Sequence, residues 1–267
     1  AHEAVDRHAN GPLRDKLALR WLGILVAFAD RGFPESYAED FDPLNVLGFP
    51  DSVVVTPRSD WFVNTMARSA EYFATVSAGQ VEVLPTLADG VLTLSGTMAH
   101  YGDDETLSWE EGARRLAAEV VDSLDAELDF SAYDLVTFIH AGPGQESDLL
   151  RNSTDQLWSG YLDFASLSEA FADSVPETPV VGWPGIPTGD GGFVLQRFGI
   201  APELEVEEEL TPPYVLGTLG VYAHQLGSYL GLVSLNDLIE PRGQGAGNFD
   251  PMSSGLWNAL GFVPGPP

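Results

Sequence analysis

The longest apolar run in the chain, Trp21 to Ala29, sets the first limit on the fold. It falls well short of the roughly 20 apolar residues that a membrane-spanning helix needs, and it has the length of a core strand. It lies within a longer segment, Leu17 to Asp30, which we predict to be a strand that enters the core. The chain is therefore expected to contain a buried sheet and not to insert into a membrane.

Helical and strand-like patterns alternate along the rest of the chain. Ser59 to Phe73 places aromatic and apolar side chains three and four residues apart, which is typical of an amphipathic helix packed on a sheet. Trp109 to Leu128 has the same spacing, with two glutamates in its first turn that favour the helix dipole. Leu135 to Ile139 predicts a fully buried strand that runs into a glycine-rich turn. Two shorter β-like segments are Val81 to Leu84 and Val91 to Leu94.

These patterns predict one α/β domain over residues 1–267. The first twelve residues are polar and are expected to be loose, and the proline-rich tail over residues 262–267 cannot form regular structure. Pro176 to Gly192 and the acidic stretch from Glu203 to Glu209 are interpreted as surface excursions, because apolar segments resume after each. At 267 residues the chain can bury its core without disulfides, and it contains no cysteine.

The charge of the chain excludes whole classes of partner. It has 40 acidic and 12 basic residues, a formal charge of −28, which opposes binding to nucleic acid or to an anionic membrane surface. Lys16 is the single lysine. This composition is typical of a halophilic-like or calcium-rich setting, where salt screens the repulsion between like charges. A genome that favours arginine codons explains the same composition, and the sequence leaves both explanations open.

One segment, from Gly220 to Ser234, has the spacing of a zinc-protease helix of the type H-E-x-x-H-x-x-G-x-x-(H/D). Two ligands four residues apart lie on the same side of such a helix, and the glycine turns the chain toward a third. His224 occupies the first ligand position and Gly231 the turn. Gln225 replaces the general base, Ser228 the second ligand and Ser234 the third.

With these residues the chain resembles the immune inhibitor A family of secreted zinc metalloproteases. The similarity extends over most of the chain, and the segments that carry it occur in the family's order. They are Leu25–Arg31, Glu71–Phe73 with Ser77–Gly79, Tyr101–Gly102, Asp129–Asp134, Ile139–Glu146 with Asp155–Ser159, the helix described above, and Gly247–Gly255.

The resemblance implies a zincin-like domain with a mixed sheet, an active-site helix from Thr218 to Leu232 and a Met-turn at Met252. Only His224 remains of the three zinc ligands. A neutral amide such as Gln225 cannot accept a proton from water, and serine hydroxyls are poor zinc ligands at neutral pH. We therefore expect no catalytic residue and no bound zinc. Calcium binding stays open.

A few other positions carry residues that could support chemistry. His140, Glu146 and Asp250 are weak candidates for metal ligands, but a glycine-closed turn in which His140 bonds to backbone is the preferred interpretation. His224 and Ser228 are spaced as a base and a nucleophile, yet the sequence offers no orienting acid or oxyanion hole, which argues against a serine hydrolase.

The predicted function is therefore that of an inactive protease relative, a pseudoenzyme. The first residue, Ala1, is interpreted as a processed end, so we expect a secreted or cell-surface protein that contacts other protein chains in a larger assembly. Apolar surface around Trp257, Leu260 and Phe262 is the expected contact. The alternative is a metallohydrolase with a rebuilt site that uses His224 and a carboxylate such as Asp237 or Asp250.

Overall fold

A mixed sheet forms the centre of the molecule in a computed structural model, which describes residues 16–38, 55–148, 150–163, 167, 184–207, 214–235 and 246–261. The strands are β1 (Leu17–Ala27), β2 (Ser36–Ala38), β3 (Val55–Pro57), β4 (Val81–Leu87), β5 (Leu92–Thr93), β6 (Leu135–Pro143), β7 (Gly160–Leu162), β8 (Ile186–Pro187), β9 (Val194–Leu195), β10 (Phe198–Glu207) and β11 (Tyr214–Leu216). The α-helices of the described residues are α1 (Arg58–Val76), α2 (Met98–Gly102), α3 (Trp109–Leu124) and α4 (Leu219–Tyr229).

Seven strands make up the main sheet, in the order β11-β10-β6-β1-β4, with β5 also paired to β1 and β7 to β10. Strands β4, β1, β6 and β10 run parallel to one another, whereas β7 and β11 pair with β10 antiparallel. Two small antiparallel pairs, β2 with β3 and β8 with β9, lie outside it. The predicted α/β class and mixed sheet are confirmed.

Helices cover both faces of this sheet, because β1 and β6 are apolar on both sides. One face packs on α2 and α3, and we call it the α3-side core; the other packs on α1 and α4, and we call it the α4-side core. The α3-side core includes Leu22, Ile24, Phe138, Leu116 and Val120. The α4-side core includes Trp21, Leu25, Ile139, Phe62, Met66, Tyr222 and Leu226.

The long elements begin where the sequence predicts them to begin. β1 starts at Leu17 and α3 at Trp109, where the Ser108 side chain accepts a hydrogen bond from the backbone N–H of Glu111 at 3.3 Å. α3 ends at Leu124, four residues before its predicted end. β6 extends beyond the predicted Ile139 through Pro143, so His140 lies in a strand and not in a turn.

Strand β4 is the last strand on its side of the sheet within the described residues. The carbonyl of Gln80 accepts from Leu17 N–H at 2.9 Å, and Ala88 N–H donates to the carbonyl of Gly23 at 2.8 Å. Backbone groups alternate in direction along a strand. Since positions 80 and 88 bond to β1, Pro85 turns its backbone nitrogen to the opposite, outer edge.

No helix among the described residues is long and apolar enough to cross a membrane. The predicted loose segment over residues 1–12 and the proline-rich tail over residues 262–267 lie outside the described residues, as do residues 176–183 of the predicted excursion from Pro176 to Gly192.

Candidate functional site

Helix α4 occupies the position of the predicted Thr218–Leu232 helix and is buried along nearly all of its length. Leu219, which opens it, accepts a bond from the Ser69 hydroxyl of α1 at 3.4 Å through its carbonyl. At its other end Gly231 has a positive φ of 85°, and Leu232 N–H bonds back to the carbonyl of Gly227 at 3.0 Å. This arrangement closes the helix with a left-handed glycine, so the predicted glycine turn is confirmed.

His224 lies on the partly exposed side of α4. Its Nδ1 is 2.8 Å from the carbonyl oxygen of Pro251. A carbonyl oxygen only accepts, so the Nδ1 of His224 carries a proton that it donates to Pro251. Ser228 follows one helical turn later and is half-buried, whereas Ser234, beyond the glycine turn, is exposed.

The segment of the predicted Met-turn packs against α4. Met252 is buried, and a Cβ added to Gly227 of the helix would lie 2.5 Å from its sulfur. Asp250 holds the turn, because its Oδ1 accepts from the backbone N–H of Met252 at 2.8 Å. The Met252 carbonyl in turn accepts from Leu235 N–H at 2.7 Å. The turn and the segment that follows α4 are thus tied together beside His224.

Gln225 points to the other side of the helix, into the sheet. Its side chain is 2% exposed, and Nε2 donates to the carbonyl of Ile200 in β10. Its Oε1 is buried without a hydrogen-bond partner and lies over Gly199, where a Cβ would come 2.6 Å from it. Spacing on the helix does not reveal this orientation, because it depends on how β10 lies below α4.

His140 is enclosed in the α3-side core, with its ring 6.1 Å from that of Phe28. Its Nδ1 lies 3.2 Å from the carbonyl of Ala141, which agrees with the preferred interpretation of a histidine bonded to backbone. Its Nε2 is buried and has no partner. Burial lowers the pKa of His140 to about 4, so the ring is neutral at pH 7.

The interpretation of Glu203 to Glu209 as a solvated surface stretch is wrong for its first part. Glu203 and Glu205 lie on β10 and are 3% and 0% exposed. The carboxylate of Glu203 accepts from the Tyr37 hydroxyl at 2.6 Å and from Gly142 N–H at 2.7 Å. The alternation of glutamate with Leu204 and Val206 suggests a half-exposed strand. It misleads because other elements also cover the glutamates: Glu203 bonds to Tyr37 of β2, and Glu205 lies beside Glu146.

The described part of the chain contains no group of three or more histidine, aspartate or glutamate side chains placed to hold a metal ion. Asp237, proposed for a rebuilt site, lies outside the described residues. A cavity of about 10 Å³, enough for one water molecule, lies between Tyr101, Trp109 and Trp158 and has no α4 residue in its lining.

No family model matches the chain, and no curated protein matches it. The similarity to the immune inhibitor A family therefore rests on the sequence segments quoted above and stays a prediction.

Proposed function

We propose that the chain is a catalytically inactive relative of the immune inhibitor A-type zinc metalloproteases. It acts as a secreted structural or protein-binding component of an extracellular or cell-surface assembly. The observation that carries this proposal is the orientation of Gln225 at the position of the general base. An amide cannot take a proton from water, and this one is committed to the carbonyl of Ile200 inside the protein.

The surroundings of α4 support the zincin-like part of the proposal. A helix bearing His224 lies on a mixed sheet, ends in a glycine turn and packs on a buried methionine, Met252, as the resemblance implies. The bond from His224 Nδ1 to the Pro251 carbonyl is the kind of contact that orients a metal-binding histidine. The frame for a metal ligand is therefore present without the partner ligands.

One observation favours the alternative of a rebuilt metallohydrolase site. Asp250 precedes Pro251, the residue whose carbonyl bonds to His224, so a carboxylate lies next in sequence to the histidine's own partner. Against this, one oxygen of Asp250 is occupied by the N–H of Met252. A carboxylate used in this way stabilises the turn.

Metal content separates the two functions. The chain purified without chelator is expected to carry no stoichiometric transition metal, because one imidazole and two hydroxyls do not make a zinc site. The paired substitution Ser228→His with Ser234→Asp is expected to restore about one zinc ion per chain, since Gln225 can stay in place. Adding His224→Ala to that pair is the matched control and should abolish binding.

The opposite result is equally clear. Stoichiometric zinc on the unaltered chain, lost in His224→Ala and accompanied by hydrolysis of a peptide, would establish the rebuilt enzyme.

Exposed apolar side chains next to the Met-turn support the protein-binding role. Val233 and Phe249 are 70% and 77% exposed, and the bond from Leu235 to Met252 brings the segment after α4 beside the turn. Trp257, at the predicted contact, is half-buried, and Phe262 lies outside the described residues. The contact surface is therefore proposed at Val233 and Phe249 as well as Trp257.

Cross-linking in the native source tests this surface. The double variant Val233→Ser with Phe249→Ser is expected to lose the cross-linked neighbour. Leu84 on β4 is 50% exposed and provides the control, because Leu84→Ser should keep the cross-linked neighbour. Two results contradict a contact at this surface. One is a protein that is monomeric in its source, and the other is a cross-linked neighbour that persists when Val233 and Phe249 are both replaced.

A further inference from the structure

A pair of carboxyl groups lies buried between β10 and the 3₁₀ turn Gln145–Ser147 that follows β6. Glu205 is fully buried, and neither of its oxygens has a hydrogen-bond partner. Glu146, from the turn, lies beside it. One oxygen of Glu146, Oε2, accepts from Ser159 N–H at 3.1 Å, while Oε1 is buried without a partner.

Ser147 is the nearest hydroxyl, but its proton is already in use. Its Oγ lies 2.8 Å from the carbonyl of Gly144 and 3.1 Å from that of Val206, and it accepts from Val206 N–H at 3.0 Å. A hydroxyl has one proton to donate. Ser147 therefore offers Glu205 at most a shared hydrogen bond, and this bond lowers the pKa of Glu205 less than burial and the charge of Glu146 raise it.

The other groups that face Glu205 do not neutralise it either. Glu203, on the same strand, takes the bonds from Tyr37 and Gly142, and Tyr222 of α4 directs its hydroxyl to the Pro202 carbonyl at 3.4 Å. Burial and the charge of Glu146 dominate the electrostatics of Glu205, and no cation among the described residues is a cause of its shift. Two ionised carboxylates in this position would repel each other at low dielectric.

We propose that Glu205 is a neutral carboxylic acid that donates its proton to the carboxylate of Glu146, and that this shared proton fastens β10 to the Gln145–Ser147 turn. The assignment follows from the partners: Glu146 already accepts from a backbone N–H, so it is the carboxylate, and Glu205, which has no donor, is the acid. We call the pair of Glu205 and Glu146 the carboxyl latch. A rise in pH that removes the shared proton breaks this contact. This inference does not depend on the proposed function.

The direction of the pH effect follows from the pKa. Burial, and then the charge of Glu146, raise the pKa of Glu205 well above its usual range. The folded chain therefore keeps a proton on Glu205 that the unfolded chain releases near the ordinary glutamate pKa of about 4.3. Stability from the carboxyl latch is complete below that pH and is lost as the pH rises through the raised pKa.

Carbon-13 NMR of the glutamate side-chain carboxyls in the full chain, followed against pH, tests the proposal directly. The Glu205 signal, assigned as the one lost in Glu205→Gln, is expected to titrate at higher pH than the exposed glutamates. Glu146→Gln should move its midpoint to lower pH, because the new amide can donate to an ionised Glu205. If Glu205 titrates together with the exposed glutamates, the proposal fails.

Thermal unfolding against pH gives a second, independent readout. Glu205→Gln is expected to remove the alkaline loss of stability, because its amide donates to Glu146 at every pH. Glu71→Gln, an exposed glutamate on α1, is the matched control and should keep the wild-type curve. An alkaline loss of stability that persists in Glu205→Gln would overturn the shared proton in favour of another cause.

Discussion

Helices α3 and α4 lie on opposite faces of the same sheet and are stabilised in different ways. α3 has a capping serine, Ser108, acidic residues in its first turn, and ion pairs from Glu111 to Arg114 and Arg115 at 2.6 and 3.0 Å. α4 has no side-chain cap and no acidic residue in its first turn, and most of its circumference is buried.

The difference shows which polar side chains a sequence can locate. In α3 Ser108 and Glu111 follow local rules of capping and spacing, and Glu119 is the exception that bonds to Ser95 and Tyr101 in other elements. In α4 a polar residue such as Gln225 must find its partner in another element, the carbonyl of Ile200. Among the described residues, the α4-side core includes Tyr222, whose hydroxyl bonds to the carbonyl of Pro202, whereas the α3-side core includes Tyr101, whose hydroxyl bonds to Glu119, and encloses His140 beside Phe28.

The largest effect is expected from Gln225→Glu. The substitution puts a carboxylate against the carbonyl of Ile200 in a buried place, and it should destabilise the chain by about 3–5 kcal/mol at pH 7. The loss should shrink in acid, where the introduced carboxyl is protonated and can donate. Gln225→Met, which keeps the shape, is the control and should cost less than half as much. Equal losses from the two, measured by urea unfolding, would mean that Gln225 does not face the sheet.

A smaller effect is expected at the helix starts. Ser108→Ala removes the hydroxyl that caps α3 and should cost about 1 kcal/mol. Thr218→Val at the start of α4, where no side-chain cap bond exists, should cost under about 0.5 kcal/mol on the same scale. Chemical unfolding of both variants checks the comparison, and a larger loss at Thr218 would contradict the absence of a cap on α4.

The smallest effect is expected from Glu111→Gln in α3. Burial opposes ionisation of Glu111, but bonds from Arg114 and Arg115 outweigh it and lower its pKa. The stability it adds is therefore present above the unfolded pKa and is lost as the pH falls through the lower folded value. Because the ion pairs are partly exposed, the loss at neutral pH should be below about 1 kcal/mol and should fade in high salt. A loss unaffected by salt would indicate a packing role instead.

Sequence patterns predicted the fold well where burial is periodic. The apolar run predicts β1, and side chains repeating every three or four residues predict α1 and α3. The same reasoning overran α3 by four residues, because Asp125 to Leu128 continue the apolar spacing without continuing the helix.

The candidate site was only half predictable. The helix, its glycine turn and the buried Met252 follow from motif spacing, but the direction of Gln225 and the burial of Glu203 and Glu205 do not. Each of these depends on contacts between elements distant in sequence: Gln225 on β10, Glu203 on Tyr37, and Glu205 on Glu146. A local pattern carries no information about such partners.

The outward-facing nitrogen of Pro85 limits how this molecule can assemble. An unprotected sheet edge offers a row of donors and acceptors on which a second chain can add a strand, whether in a specific complex or in an aggregate. Pro85 has no N–H to offer at that edge, and an ion pair of 2.9 Å between Lys16 and Glu82 adds charge to the same border. A strand added along the outer edge of β4 would meet this missing donor and this ion pair, so continuous extension of the sheet is disfavoured at this border.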